Sequence, residues 1–273
     1  MFQQTKPKST LQTAVSILEL IYHATVRDVR KAHGNALMAI GLNILQTMVF
    51  LATFYVMFSV LGLRGAALRG DFVLYLMSGI FLFLTHVKTL GAVVGAEGPS
   101  SAMMKHAPMN TAISISSAAL GALYVQVFTM ALILFAYHVA VNPFEVEYPF
   151  PAIGMLLLSW FTGAAIGLVL LSIKPWFPTF VATFATVYQR ANMIASGKMF
   201  VANMLPTYML RMFDWNPLFH TIDQARGFVF VNYSPHNSSV TYPIIIAVTL
   251  TMIGLMGEFY TRRHASTSWD ARR

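Results

Sequence analysis

The chain has 273 residues, 56% of them hydrophobic and only 10% charged, with a mean hydropathy of +0.62. A soluble domain carries about 25% charged residues, so this composition excludes an ordinary soluble protein and predicts an all-α, multi-pass membrane protein. The formal charge of +8 is distributed as a topology signal rather than a nucleic-acid footprint, and the lack of cysteine excludes disulfides, thiol catalysis and thiolate metal sites.

Residues 1–35 are expected to form a cytoplasmic N-terminus. The stretch 1–30 lacks the apolar core and small-residue cleavage site of a secretory signal. Leu11, Val15, Leu18, Ile21 and Tyr22 recur at near-helical spacing among Glu19, His23, Arg27, Asp28, Arg30 and Lys31. That is the pattern of an amphipathic helix lying in the membrane interface. The alternative is that 11–37 extends the first span; Gly34-Asn35 favours a break and a change of direction.

A span needs about 20 mostly apolar residues. Six segments of the 36–260 domain qualify: 36–61, 72–96, 113–141, 152–173, 176–195 and 240–260. The second carries His86 and Lys88 and the fifth Gln189-Arg190, which makes these two the least apolar. Only Lys174-Pro175 separates the fourth from the fifth, so a tight turn is required. Six spans put both termini on one side, with Lys6, Lys8, Arg27, Arg30, Lys31, Lys105, Lys174, Arg262, Arg263, Arg272 and Arg273. The other side holds Arg64, Arg69, Lys198, Arg211 and Arg226. The positive-inside rule then makes both termini cytoplasmic, including the tail 261–273, and the basic excess suits anionic lipid.

Between the second and third spans, Ser100 or Ser101 can cap a two-turn helix ended by Pro108. The segment, about 97–108, is either a plain connector or a short helix offered to a cytoplasmic partner, with Met103 and Met104 as adaptable apolar contacts. Gly91/Gly95 and Gly163/Gly167 permit close helix approach. No internal repeat stands out.

The stretch 205–233 is apolar and aromatic, yet interrupted by Pro206, Arg211, Asp214, Asn216-Pro217, His220, Asp223 and Arg226. It is too broken to span and too apolar for a solvent loop. It reads as a re-entrant helical hairpin, about 197–235, at the outer face; non-helical backbone at membrane depth needs protein or a watery path around it. Asn216 is the expected N-cap of its second helix, with Pro217 in the first turn. That helix start, with Arg211, His220 and Arg226, can receive an anionic group such as an acidic sugar or phosphate. Alternatively, Arg211–Asp214 and Asp223–Arg226 pair at helical spacing, the favoured reading for Asp223–Arg226.

Gly197-Lys198 is not a phosphate loop, since position 192 is Asn and Met199 replaces Ser or Thr. The eight histidines form no metal-ligand frame. His86 and His138 are read as helix-to-helix hydrogen-bonding groups in preference to a proton relay. No paired acid lies inside a span, which weakens a proton-coupled carrier. Asn232-Tyr233-Ser234 and Asn237-Ser238-Ser239 match the glycosylation pattern, which matters only in a chain that passes through an endoplasmic reticulum.

The order of elements is interface helix, two spans, short cytoplasmic helix, four spans, and a broken outer hairpin before the last. It resembles the membrane subunit of type-2 ABC exporters, and within them the permeases for capsular polysaccharide or O-antigen. The local match is Trp215-Asn216-Pro217-Leu218-Phe219-His220 followed by Arg226, with a further likeness at Ala24-Thr25-Val26-Arg27-Asp28-Val29-Arg30; Lys31-Ala32-His33-Gly34-Asn35 departs from the family's usual pattern. The resemblance implies a bacterial inner-membrane homodimer with two copies of a cytoplasmic ATPase, which holds the ATP and Mg; this chain needs no cofactor of its own. It implies a coupling helix containing Glu97, Ser101, Met103, Met104, Lys105 and His106, and a lipid-linked polysaccharide passed outward between the two copies toward periplasmic and outer-membrane export proteins. Expected substrate-path residues are Tyr188, Arg190, Tyr208, Arg211, Trp215, Asn216, Pro217, His220 and Arg226. The outer aromatics serve either as sugar platforms or as an interfacial belt. Rival readings are a type-2 permease for teichoic acid, a lipid or a drug, an ATP-independent channel or carrier, and an intramembrane enzyme, for which no catalytic constellation stands out.

Overall fold

The structure is a computed structural model that describes residues 10–31, 36–62, 70–98 and 110–264. Among these residues every regular element is helical. The order is α1 (Thr10–Lys31), α2 (Ala36–Val60), α3 (Phe72–Val94), α4 (Thr111–Ala140), α5 (Pro149–Ile173), α6 (Pro178–Ala195), a 3-10 turn (Ala202–Met204), α7 (Thr207–Phe213), α8 (Pro217–Val229) and α9 (Thr241–His264).

Five of them, α2, α3, α4, α5 and α9, are long and apolar enough to cross a membrane. At 1.5 Å per residue each exceeds the roughly 30 Å of hydrocarbon. The chain is therefore a multi-pass membrane protein by length and composition. The fifth expected span differs: α6 has 18 residues and falls short of the other five in apolarity, with Gln189, Arg190 and Asn192 in its last two turns. It also begins at Pro178 rather than 176. The amides of Trp176 and Phe177 donate back to the Ile173 carbonyl at 3.0 and 3.1 Å, closing the expected turn, and Pro178 suits a first helical position.

α3 and α5 form the interior. In α3, 83% of the most apolar stretch is buried inside the protein, against 22–33% for α2, α4 and α9. Gly163 and Gly167 make the α3–α5 crossing possible. A Cβ on Gly163 would stand 2.4 Å from the His86 carbonyl oxygen, and one on Gly167 2.9 Å from Val93 Cβ. On the other face of α5, a Cβ on Gly254 of α9 would stand 2.6 Å from Leu168 Cγ. Gly91/Gly95 does not repeat this: Gly91 has only ordinary contact, with Gln189 Nε2 at 3.6 Å, and the nearest atom to Gly95 belongs to its own helix. Spacing permits an approach, and the partner's position decides whether it occurs.

Polar bonds pin the crossings. His86 Nδ1 lies 3.0 Å from Thr162 Oγ1 and its Nε2 lies 3.1 Å from the Tyr188 hydroxyl, so one imidazole joins α3, α5 and α6. Trp160 Nε1 donates to the Ala119 carbonyl at 2.8 Å, joining α5 to α4. His138, by contrast, makes no helix-to-helix bond; it is exposed and accepts from the Phe144 amide at 3.2 Å in the loop after α4.

α1 packs along α4. Ala24 is buried, the nearest neighbours of Gly121 are Val29 and Thr25, and Ser117 donates to Asp28 at 2.7 Å. Val15, Leu18 and Tyr22 lie on the face turned away from the bundle, with Leu18 and Tyr22 each 65% exposed. α1 is thus a helix of its own, docked by a small and polar face, with its apolar stripe free to meet lipid.

Candidate functional site

α8 is the buried half of the 197–235 region. It packs against α3 and α5, and every residue from Asn216 to Asp223 is buried, as are Ala225 and Arg226. α7 is the exposed half, with Tyr208 68% and Trp215, just past its end, 62% exposed.

Asn216 starts α8 as expected. Its Oδ1 accepts from the Leu218 amide at 3.0 Å, and its Nδ2 donates to Asn192 Oδ1 at 2.8 Å and the Ala195 carbonyl at 3.0 Å. The N-cap therefore also fastens α8 to the end of α6. Pro217 occupies the first turn, where its missing N–H costs nothing. His220 reaches backward and forward: Nε2 lies 2.5 Å from the Asp214 carbonyl, and Nδ1 accepts from the Ser239 amide at 3.0 Å. That pattern fits the tautomer protonated on Nε2. One ring thereby closes α7 against the segment leading into α9.

Arg226 is 1% exposed. Its Nη1 donates to the carbonyls of Gly197 at 2.8 Å and Phe200 at 2.6 Å, and its Nη2 to that of Lys198 at 2.6 Å. Its guanidinium lies over the Tyr75 ring, 4.2 Å from the centroid. Gly79 makes the seat: a Cβ there would be 2.8 Å from Nη2 and 2.9 Å from Lys198 Cα. The loop accepts this clamp because Gly197 takes a positive φ of 76°. Arg226 Nε and the Tyr75 hydroxyl have no hydrogen-bond partner among the described residues.

The expected ion pairs are replaced by other bonds. Neither Arg211–Asp214 nor Asp223–Arg226 comes within ion-pair distance; the ion pairs in which both partners are described residues are Arg27–Asp28 and Glu258–Arg262. Asp223 instead accepts from the Tyr233 hydroxyl and, at 2.7 Å, from Ser238 Oγ. Burial, followed by the charge of Asp223, raises the Tyr233 pKa. The physical reason is geometric: the carboxylate and the guanidinium each find fixed partners in segments brought alongside by the chain, and those partners hold them apart.

Lys198 was not among the expected site residues, and it is buried to 1% exposure. Its ammonium donates to the Met193 carbonyl and lies over the rings of Phe83, Phe54 and Phe50, at 4.2, 5.3 and 5.9 Å from their centroids. Ring faces favour the cation, but burial prevails and lowers the pKa to about 7.

The expected substrate-path residues therefore separate into two sets. Asn216, Pro217, His220 and Arg226 are buried in the internal bonding of the 197–235 region, so Arg226 is not offered to an external anion. Arg190, Tyr208, Arg211 and Trp215 are exposed. Tyr188 is half-buried and engaged with His86. Of the expected coupling residues, only Glu97 is described; its amide donates to Ser114 Oγ at 3.1 Å. Ser101, Met103, Met104, Lys105 and His106 lie outside the described residues, as does most of the 97–108 segment. No protein-family model matches the chain, and no curated protein matches it significantly.

Sequence reading also passed over a second polar cluster. Lys88 of α3 donates to Asn43 Oδ1 and, at 2.6 Å, to Gln46 Oε1, both on α2; Gln126 of α4 donates to the same Asn43 oxygen at 3.2 Å. The available signal is four polar side chains on three separate apolar segments, with Asn43 and Gln46 three apart on one helix face.

Proposed function

We propose that this chain is the membrane permease of an ABC transporter that exports a lipid-linked, capsular-type polysaccharide across a bacterial inner membrane, driven by ATP hydrolysis in a separate subunit. In this reading α6 is the fifth of six spans, α7–α8 the outer re-entrant hairpin, and both termini are cytoplasmic. The working unit is two copies of the chain with two copies of a nucleotide-binding subunit seated on the 97–108 segment.

The observation that supports the reading is the pair of short helices α7 and α8, fastened through Asn216, His220 and Arg226, with α8 buried against α3 and α5 and Tyr208, Arg211 and Trp215 exposed. Exposed aromatic faces beside a cationic group suit sliding contact with sugars, because rings cover the apolar C–H side of a pyranose without demanding one hydrogen-bond pattern. The free apolar stripe of α1 is a second support, since a helix docked beside a bundle with Val15, Leu18 and Tyr22 outward suits the membrane interface.

The test is purification of the tagged chain from its native membrane in mild detergent. A stoichiometric nucleotide-binding protein with ATPase activity should accompany it, and Met103→Asp with Met104→Asp should release that protein while leaving the chain's own thermal unfolding unchanged. Recovery of the chain with no ATPase, alongside retained transport in vesicles without ATP, would sink the reading in favour of an ATP-independent channel or carrier.

A further inference from the structure

A cavity of about 510 Å³ lies between α1, α2, α3 and α4, at the end of the bundle where α1 docks. That size is within the range of small-molecule sites, roughly 300–1,000 Å³. Lys88, Asn43, Gln46 and Gln126 make its polar wall, while Arg27 and Asp28 of α1 and Glu97 beyond the end of α3 face the same space. Lys88 lies six residues before the end of α3, about 9 Å inside that end at the rise of an α-helix.

The charge arrangement is unusual for a structural contact. The partners of Lys88 are amide oxygens of Asn43 and Gln46, and among the described residues no carboxylate comes within 4.0 Å of it. Asp28 is engaged by Ser117 and by Arg27, the latter at 3.7 Å. A lysine inside a membrane helix, on a cavity wall and bonded to amide oxygens rather than to a carboxylate among the described residues, marks a functional site by default. An ammonium has three donors, and the two amides use two of them. Asn43 Nδ2 is turned away to Thr129 Oγ1 at 2.7 Å, so the amide pair is oriented to present oxygen to Lys88 and holds it in place.

We propose that this cavity binds a phosphate-bearing anion, with Lys88 as the cation that receives it. Arg27 lies on the same wall as an ion pair with Asp28 at 3.7 Å, so Lys88 is the cation available to the anion. The anion arrives either as the headgroup of an anionic phospholipid from the surrounding leaflet or as a soluble phosphate. The proposal requires only the membrane setting of the helices and is independent of the transport reading.

Native mass spectrometry of the delipidated, full-length protein in detergent tests it, with phosphatidylglycerol and phosphatidylcholine as lipid probes and inorganic pyrophosphate as the soluble probe. Wild-type protein should retain phosphatidylglycerol over phosphatidylcholine. Lys88→Met should weaken that retention about tenfold, the scale of one charge-assisted hydrogen bond. Ala122→Leu, which fills the cavity from α4 and leaves the bonds of Lys88 alone, should do the same and serves if Lys88→Met does not fold. Arg262→Gln on α9, outside the cavity, should have no effect. Competition by pyrophosphate, abolished by either cavity variant, identifies soluble phosphate as the source; lipid retention without competition identifies the headgroup. Equal retention of both lipids together with no pyrophosphate binding, or undiminished anion binding in both cavity variants, overturns the proposal.

Discussion

Arg226→Ala perturbs the most fully engaged side chain of α8. It removes three charge-assisted bonds, to the carbonyls of Gly197, Phe200 and Lys198, and the stacking on Tyr75. It also leaves those three acceptors around an empty volume beside Gly79. A buried acceptor stripped of its partner costs about 1–3 kcal/mol, but the substitution also relieves the desolvation of a buried guanidinium, which offsets part of the sum. The expected net loss is about 3–5 kcal/mol, or roughly 10 °C in the unfolding midpoint for a chain of this size. Arg226→Lys should recover little, because one ammonium cannot bridge three carbonyls that a planar fork meets together. The assay is thermal unfolding of the detergent-purified protein followed by size-exclusion chromatography, with limited proteolysis at 196–206 to locate the loosening. Arg211→Ala on exposed α7 is the internal comparison and should stay within about 0.5 kcal/mol. An Arg226→Ala midpoint within about 2 °C of wild type, with no new cleavage between α6 and α7, would refute the clamp.

Gly163→Ala should destabilise the protein by about 2 kcal/mol or more in the same assay, since the new methyl meets the His86 carbonyl at 2.4 Å, whereas Gly154→Ala, with nothing within 4 Å, should be neutral or stabilising. Lys198 has a folded pKa of about 7, below the ordinary lysine value, so the unfolded chain binds the extra proton between about pH 7 and 10.5 and stability rises with pH across that window. Lys198→Met should flatten that rise and stabilise the protein most below pH 7; a steeper rise in the variant would contradict it. At Asp71, burial pushes the carboxyl up, but hydrogen bonds from Tyr137, Asn142 and the amides of Leu74 and Val73 outweigh it and hold the pKa below the ordinary aspartate value of 3.8. Its stabilising contribution is present above pH 3.8 and is lost as pH falls through the depressed folded value. Asp71→Asn should therefore remove part of the acid-induced loss in that range while lowering stability near neutrality, as midpoints measured from pH 2 to 7 will show.

Local physics made much of the architecture legible. Twenty-residue apolar runs identify α2, α4, α5 and α9 because the bilayer rewards side-chain composition whatever the neighbours are. Asn216-Pro217 announces the start of α8, since an N-cap and a first-turn proline act within four residues. The turn between α5 and α6 follows from Pro175 and Pro178 for the same reason. The α3 segment was less clear, because His86 and Lys88 lower its hydropathy. Only the assembled bundle shows that α3 is its most buried helix, with His86 bonded to α5 and α6 and Lys88 to α2.

What tertiary structure alone decided is the direction and partner of each polar group. Helical spacing brings Asp223 and Arg226 near enough to pair, yet Arg226 turns to carbonyls 26–29 residues away and Asp223 to Tyr233 and Ser238. Gly163/Gly167 and Gly91/Gly95 share one spacing, but only the first meets another backbone. Lys198 looked like an outer-face charge and proves to be enclosed by three phenylalanines from α2 and α3. A local pattern sets what a residue is able to do; which of the available partners it takes depends on contacts tens of residues distant, and these exist only once α8 is folded back against α3 and α5.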